Sequence, residues 1–191
     1  GSIEGQGQIL AQSATMGGVA RLALRQSGTK WRYMVAGSVA NHADFRLPNG
    51  KYAENTRFKE EVIRGTLSYT SSKGLHNLRY TYNRTFAGIP GESHDSIPNF
   101  QEFQLNEQQR KTMPPTQRFT NHFLSFDNKW FLKKGEVYAL TAFTQNELTE
   151  FEESFDTSGI SMLLRNVVYH LRYTCNINHW KWISGLWEWV N

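Results

Sequence analysis

Phe119–Phe151, FTNHFLSFDNKWFLKKGEVYALTAFTQNELTEF, reads as two long strands around a tight turn at Leu132-Lys133-Lys134-Gly135-Glu136. On the first strand His122, Leu124 and Phe126 fall on one side, Phe123 and Ser125 on the other. On the return, Tyr138, Leu140 and Ala142 share a side, opposite Thr141, Phe143 and Gln145. Repetition at every second residue is the period of a pleated strand, whose side chains alternate between faces. Trp130 stands just before the turn and Tyr138 just after it.

The same unit recurs outward in both directions. Ile3 to Gln12 alternates weakly, and Val19 to Gln26 sets Ala20, Leu22 and Leu24 against Arg21, Ala23 and Arg25. Lys30 to His42 is the clearest strand, with Trp31, Tyr33, Val35, Gly37 and Val39 opposite Arg32, Met34, Ala36, Ser38 and Ala40. A fourth strand ends with Ile63, Gly65, Leu67 and Tyr69. A fifth runs from Leu75 to Phe86, an eighth from Ile160 to Thr174, and a ninth begins at Trp180. In that last stretch, Trp180 and Trp182 flank Ser184-Gly185 with Trp187 and Trp189; one continuous strand is preferred over a Ser-Gly hairpin. All five prolines (Pro48, Pro90, Pro98, Pro114 and Pro115) fall between these strands, where no ladder donor is lost.

The links at Ser27, Ser71, Leu132 and Cys175 are short, and those at Ala43, Gly88 and Glu152 are longer. In an up-and-down sheet this puts tight turns at one end and loops at the other, as in membrane barrels. Trp31, Tyr33, Tyr69, Trp130, Tyr138, Tyr173, Trp180 and Trp182 cluster beside the tight turns, where an aromatic girdle meets the membrane–water boundary. The expected lipid-facing residues are Val35, Val39, Ile63, Leu67, Leu78, Tyr80, Leu140, Val167 and Leu171. Arg, Thr, Ser, Asn and His occupy the other file, which suits a watery lumen. Alternation by itself allows a soluble barrel with the apolar file inward; link lengths and aromatic placement favour the membrane.

Composition agrees with strands. Aromatics make up 14% of the 191 residues, yet mean hydropathy is −0.57. No run approaches the ~18 apolar residues of a membrane helix. The net charge of +4 is mild and its Lys and Arg are scattered, which argues against nucleic acid as a partner. Cys175 is alone, so no internal disulfide forms. The opening residues carry no signal-peptide pattern.

RFTNHFLSFDNKWFL followed by YALTAFTQNELTEFEE resembles the barrel of TonB-dependent outer-membrane receptors, as do HADFRLPNGKYAENTRFKE and the segment reaching TYNRTFAGIP. The shared features are Asn121-His122-Phe123-Leu124, Trp130 before a turn, and Gln145-Asn146 with Glu150-Phe151; they describe barrel strands rather than chemistry. The resemblance implies uptake of a scarce solute (a siderophore, haem, a vitamin or a glycan) across the cell outer membrane, with no cofactor and no enzymatic activity. Contact with TonB would run through a plug segment that these residues do not include. The expected fold is all-β, an antiparallel up-and-down meander of about nine strands over residues 1–191, part of a transmembrane barrel of 22 strands in that family. The competitors are a complete eight-stranded membrane barrel with a structural or adhesive role, and a soluble lipid-binding barrel.

Chemistry-bearing patterns are sparse. The six histidines show no tight ligand spacing, and the acidic run from Glu147 to Asp156 lacks an EF-hand pattern. No nucleophile elbow or phosphate loop occurs. Asn83-Arg84-Thr85 matches a glycosylation triplet but lies inside a strand. Asn99 to Lys111 is compatible with a short helix capped by Asn99, with Glu102 three residues on. By the resemblance, this loop is the first candidate for cargo recognition, through Phe100, Phe103 and Arg110.

Overall fold

Alternating β-branched, aromatic and polar residues suit a pleated surface, and most of the described residues lie in strands. Its strands are β1 (Ile3–Gln12), β2 (Gly17–Ser27), β3 (Trp31–His42), β4 (Tyr52–Ala53), β5 (Phe58–Ser71), β6 (Gly74–Gly88), β7 (Gln104–Leu105), β8 (Thr116–Leu132), β9 (Gly135–Phe151), β10 (Ile160–Ile177) and β11 (Trp180–Val190). The structure, a computed structural model, describes residues 2–90, 103–177 and 180–190, with backbone alone at 176, 177, 180, 181, 187, 189 and 190. No helix occurs among the described residues.

Nine strands form one antiparallel sheet in the order β1-β2-β3-β5-β6-β8-β9-β10-β11. Each follows its predecessor in the chain, so the topology is a meander. The strands β1 and β11 are its edges, and the sheet is open. The pairing of β8 with β9 runs unbroken from Thr116↔Phe151 to Leu132↔Gly135. The other ladders are equally continuous. The segment Trp180–Val190 is a single strand, with Gly185 opposite Arg172. The closed eight-stranded alternative does not fit this arrangement.

At one end the strands are joined by Gly28–Lys30, Ser72–Lys73 and Lys133–Lys134. Gly74 and Gly135 each follow such a link, and a Cβ at either would run into a carbonyl oxygen of the neighbouring strand, that of Lys129 or Thr174. Glycine is required there by close backbone approach. The opposite end carries the long connections. It also holds the short link Ser13–Met16, so link length does not alternate without exception.

The loop end holds the most buried side chains, and most of them are polar: His42, Asp44, Asn55, Arg57, Thr112 and Thr116 accompany Ala43. Asp44 is fully buried. Its Oδ1 accepts from the backbone N–H of Thr56 at 3.1 Å and of Arg57 at 3.2 Å, and its Oδ2 lies 3.1 Å from Arg57 Nη1. The same guanidinium donates to Gln109 Oε1 at 3.1 Å. Gln108 Nε2 donates to the Asp44 carbonyl at 2.7 Å, and Asp44 N–H donates to the Gln109 carbonyl at 2.9 Å. Asn55, in the left-handed region at φ 56°, donates to the carbonyls of Ile89 and Pro115. The loop after β3 is thereby fastened to the segment before β8.

These bonds overturn the expected helix over Asn99 to Lys111 in its described part. Residues 103–111 are not helical; Gln104–Leu105 pairs with Tyr52–Ala53. The polar groups of Gln108, Gln109 and Arg110 are used on neighbouring loops, not along a helix. Asn99, Phe100 and Glu102 lie outside the described residues.

Removing one partner of a buried pair strands the other charge, at a cost of about 3–5 kcal/mol. Asp44→Ala is therefore expected to lower unfolding stability by about that amount. It should also raise hydrogen exchange in residues 43–57 first; a loss below about 1 kcal/mol would show that the pair does not hold the loop end.

Candidate functional site

Unbroken pairing transmits parity across the sheet, because directly opposed residues point to the same face. One row runs Leu24–Val35–Gly65–Tyr80–Leu124–Phe143–Val167 across seven strands. The face it defines is apolar and open to the surroundings. Val35 is 55% exposed, Leu67 42% and Tyr80 39%. Val39, Ile63, Leu78, Val167 and Leu171 share this face and its exposure. Eight of the nine residues expected on one outward file are thus brought together, in no enclosed interior.

Leu140 is the exception, and Tyr138 goes with it. Leu140 pairs with Asp127 and His170, which puts it on the opposite face. The Arg172 guanidinium sits 5.3 Å from the Tyr138 ring, and His170 meets that ring edge-on at 5.7 Å. The two files of β9 are about equally apolar, so its own sequence does not choose between them. The partner strand chooses: Leu124 and Phe126 face Phe143 and Thr141.

The apolar face has a boundary at each end. Toward the tight turns, Trp31 and Tyr69 have ring centres 4.7 Å apart; Tyr69 and His76 follow at 6.1 Å, His76 and Trp130 at 5.8 Å. His76 Nδ1 donates to Asn128 Oδ1 at 2.7 Å. Tyr33, Tyr173 and Trp182 lie on the same face, while the side chain of Trp180 lies outside the described part. Toward the loops, the same face turns polar on β5, β6, β8, β9 and β10. Lys59 and Glu61 succeed Ile63, Arg84 succeeds Tyr82, and Arg118 and Thr120 succeed His122. Gln145 and Glu147 succeed Phe143, and Arg165 succeeds Val167. Arg165 Nε donates to Gln145 Oε1 at 3.0 Å, and Arg118 lies 3.9 Å from Glu147.

The opposite face is knit by polar pairs. Asn77 Nδ2 donates to Asp127 Oδ1 at 2.8 Å, and Arg79 pairs with the other oxygen. Asn83 Nδ2 donates to Glu60 Oε1 at 2.9 Å and Asn121 Nδ2 to Asn83 Oδ1 at 3.3 Å. Arg25 pairs with Glu4 at 2.6 Å. Ser125 and Ala142, small and opposed, are buried here.

Of the expected recognition residues, Phe100 is outside the described part. The Phe103 carbonyl accepts from Glu54 N–H at 2.9 Å, and Arg110 donates to Asn41 Oδ1 and to the Met16 carbonyl. Both tie the loop end together. Among the described residues, no three His, Cys, Asp or Glu side chains gather as a metal site. The polar row beyond the apolar band escaped sequence reading. Its signal was the same parity continued past Ile63 to Glu61 and Lys59.

No protein-family model, curated protein or solved structure matches the chain.

Asp127 anchors Asn77 and Arg79 with a side chain only 13% exposed. Asp127→Ala is expected to lower the denaturant midpoint by the equivalent of about 1–3 kcal/mol. Asp127→Asn, which keeps an acceptor for Asn77, should recover part of the loss; equal loss in both variants would refute this role.

Proposed function

We propose that this sheet is a wall segment of an outer-membrane β-barrel, with the apolar face toward lipid and the polar face toward the lumen. The observation that carries the reading is the bounded band on a single face. It has aromatics and His76 along one margin, charges and amides along the other, and exposed aliphatic and aromatic side chains between. On β3 the band spans Trp31 to Val39, about 26 Å of strand at the usual rise. Those nine residues match the length of a tilted transmembrane strand, about 9–11 residues, and an outer-membrane barrel presents such an apolar belt between interfacial girdles. A soluble lipid-binding barrel would enclose this face, and the exposure of Val35, Leu67 and Tyr80 speaks against it. Hydrocarbon does not tolerate open strand edges, so in a membrane β1 and β11 pair with further strands.

Within that class, the sequence resemblance favours a TonB-dependent receptor that takes up a scarce solute, with coupling to TonB through a plug segment. The motifs Asn121-His122-Phe123-Leu124 and Gln145-Asn146 support it: they pair with each other in register, Asn121↔Asn146 and His122↔Gln145.

Extraction with Triton X-114 tests the membrane reading: the protein should enter the detergent phase, and recovery in the aqueous phase would refute it. A paired substitution tests the orientation. Val35→Lys should cost about 2–4 kcal/mol in lipid, whereas Leu140→Lys, beside Asp127 on the polar face, should cost less than about 1 kcal/mol. Equal costs would mean that the faces are misassigned. Iron-limited or vitamin-limited growth that depends on both this protein and TonB would support the receptor assignment; growth indifferent to TonB would remove it.

A further inference from the structure

The polar face does not pair all of its charges. On it Arg25 meets Glu4, Arg79 meets Asp127 and Lys129 meets Glu136. Arg21, Glu60 and Arg64 share this face, and none of the three makes an ion pair with a described residue. Arg21 and Arg64 are exposed and Glu60 is half-buried. Arg64 makes no hydrogen bond with a described residue. Arg21 reaches Gln8 at 3.5 Å, too long for a strong bond. Glu60 accepts from Asn83 through Oε1 at 2.9 Å, and its other oxygen has no partner among the described residues.

These three side chains line one open trough of about 450 Å³, within the size range of small-molecule sites. Its floor includes Ala23, Ala36 and Ser38. Ala23 and Ala36 are directly opposed, so two adjacent strands are low at the same level. Ser38 lies at the centre of the charges. Arg21 is directly across from it on β2, and Val62 directly across on β5. Glu60 and Arg64 stand two residues to either side of Val62, with Glu60 toward the loops. Each is thus a diagonal neighbour of Ser38, about 7–8 Å away at the backbone and within reach of a long side chain. A molecule seated over Ser38 meets a guanidinium on each side and a carboxylate at its loop-ward end.

We propose that this trough binds a small zwitterion with two carboxylates and one ammonium, the charge pattern of an acidic amino acid. Arg21 and Arg64 each take a carboxylate, which a guanidinium grips through paired donors. The ammonium turns to Glu60. Two cations and one anion in the protein select this pattern over its simpler relatives. A dicarboxylate without the ammonium presents nothing to Glu60 but like charge, and a zwitterion with a single carboxylate leaves one guanidinium unpaired. The inference rests on the proposed lumen-facing role of the polar face, for which it names a class of solute.

Isothermal titration of the detergent-purified protein with L-glutamate, glutarate and L-glutamine tests it. Glutamate should bind more tightly than glutarate, which lacks the ammonium, and than glutamine, which lacks the second carboxylate. Arg64→Gln should weaken glutamate binding about tenfold or more. Glu60→Gln keeps an acceptor for Asn83 and should remove the preference for glutamate over glutarate. Neither substitution should lower the melting temperature, because neither breaks an ion pair. No binding of glutamate, glutarate bound as tightly as glutamate, or binding indifferent to Arg64→Gln overturns the proposal. Where Val35→Lys costs more than Leu140→Lys yet glutamate does not bind, this site fails and the lumen-facing reading stands; where those costs are equal and glutamate does not bind, both fail.

Discussion

Parity of hydrogen-bonded pairing is the constraint on which the rest of the sheet depends. Directly opposed residues share a face, and no bulge interrupts the ladders from β1 to β11. A slip of one residue in any pair would invert every strand beyond it. A face of exposed Val35, Tyr80 and Leu171 then exists only because all the intervening registers agree. The band, its aromatic margin and its charged margin are three readings of one alignment.

The two ends of the strands are stabilised by different physics. At the turn end, links as short as Ser72–Lys73 and Lys133–Lys134 leave little for side chains to do, and glycine admits the neighbouring backbone. At the loop end the chain is long, and a buried polar cluster supplies the order. Asp44 meets both partner backbone N–H groups and the Arg57 guanidinium, and Arg57 reaches on to Gln109. Such clusters are demanding, since each member left unpaired costs more than a lost contact. The sheet itself has little conventional core; apart from this cluster and Phe151, its buried residues among those described are small or polar, such as Ser125, Ala142 and Thr174.

Strand identity was legible in the sequence because period-two alternation is local. The file Trp31 to Val39 needs no partner to be recognised, and proline confined to links removes false strands. Face assignment was legible only where the two files differ. On β3 they differ strongly; on β9 they do not, and Tyr138 and Leu140 fell on the face that β8 dictated rather than the one their apolarity suggested. The loop end was opaque for another reason. Asp44, Arg57 and Gln109 are distant in sequence and unremarkable in type, and nothing local announces that they meet. Arg110 and Phe103, read as recognition residues, bond to Asn41, Met16 and Glu54 at the same loop end. The charged margin was present in the sequence, but Glu61 and Lys59 become part of a row only once Arg84 is placed beside them.

A meander whose nine main-sheet strands pair only with their neighbours in order can change size without reordering that sheet. Adding or deleting one hairpin restores the direction of the next strand and leaves the other ladders of the main sheet as they were. Growth by duplication is thus nearly free of topological penalty, and a family of such sheets can vary in circumference by steps of two. In the same way the fold can assemble by accretion, each new hairpin finding its template in the last one laid down.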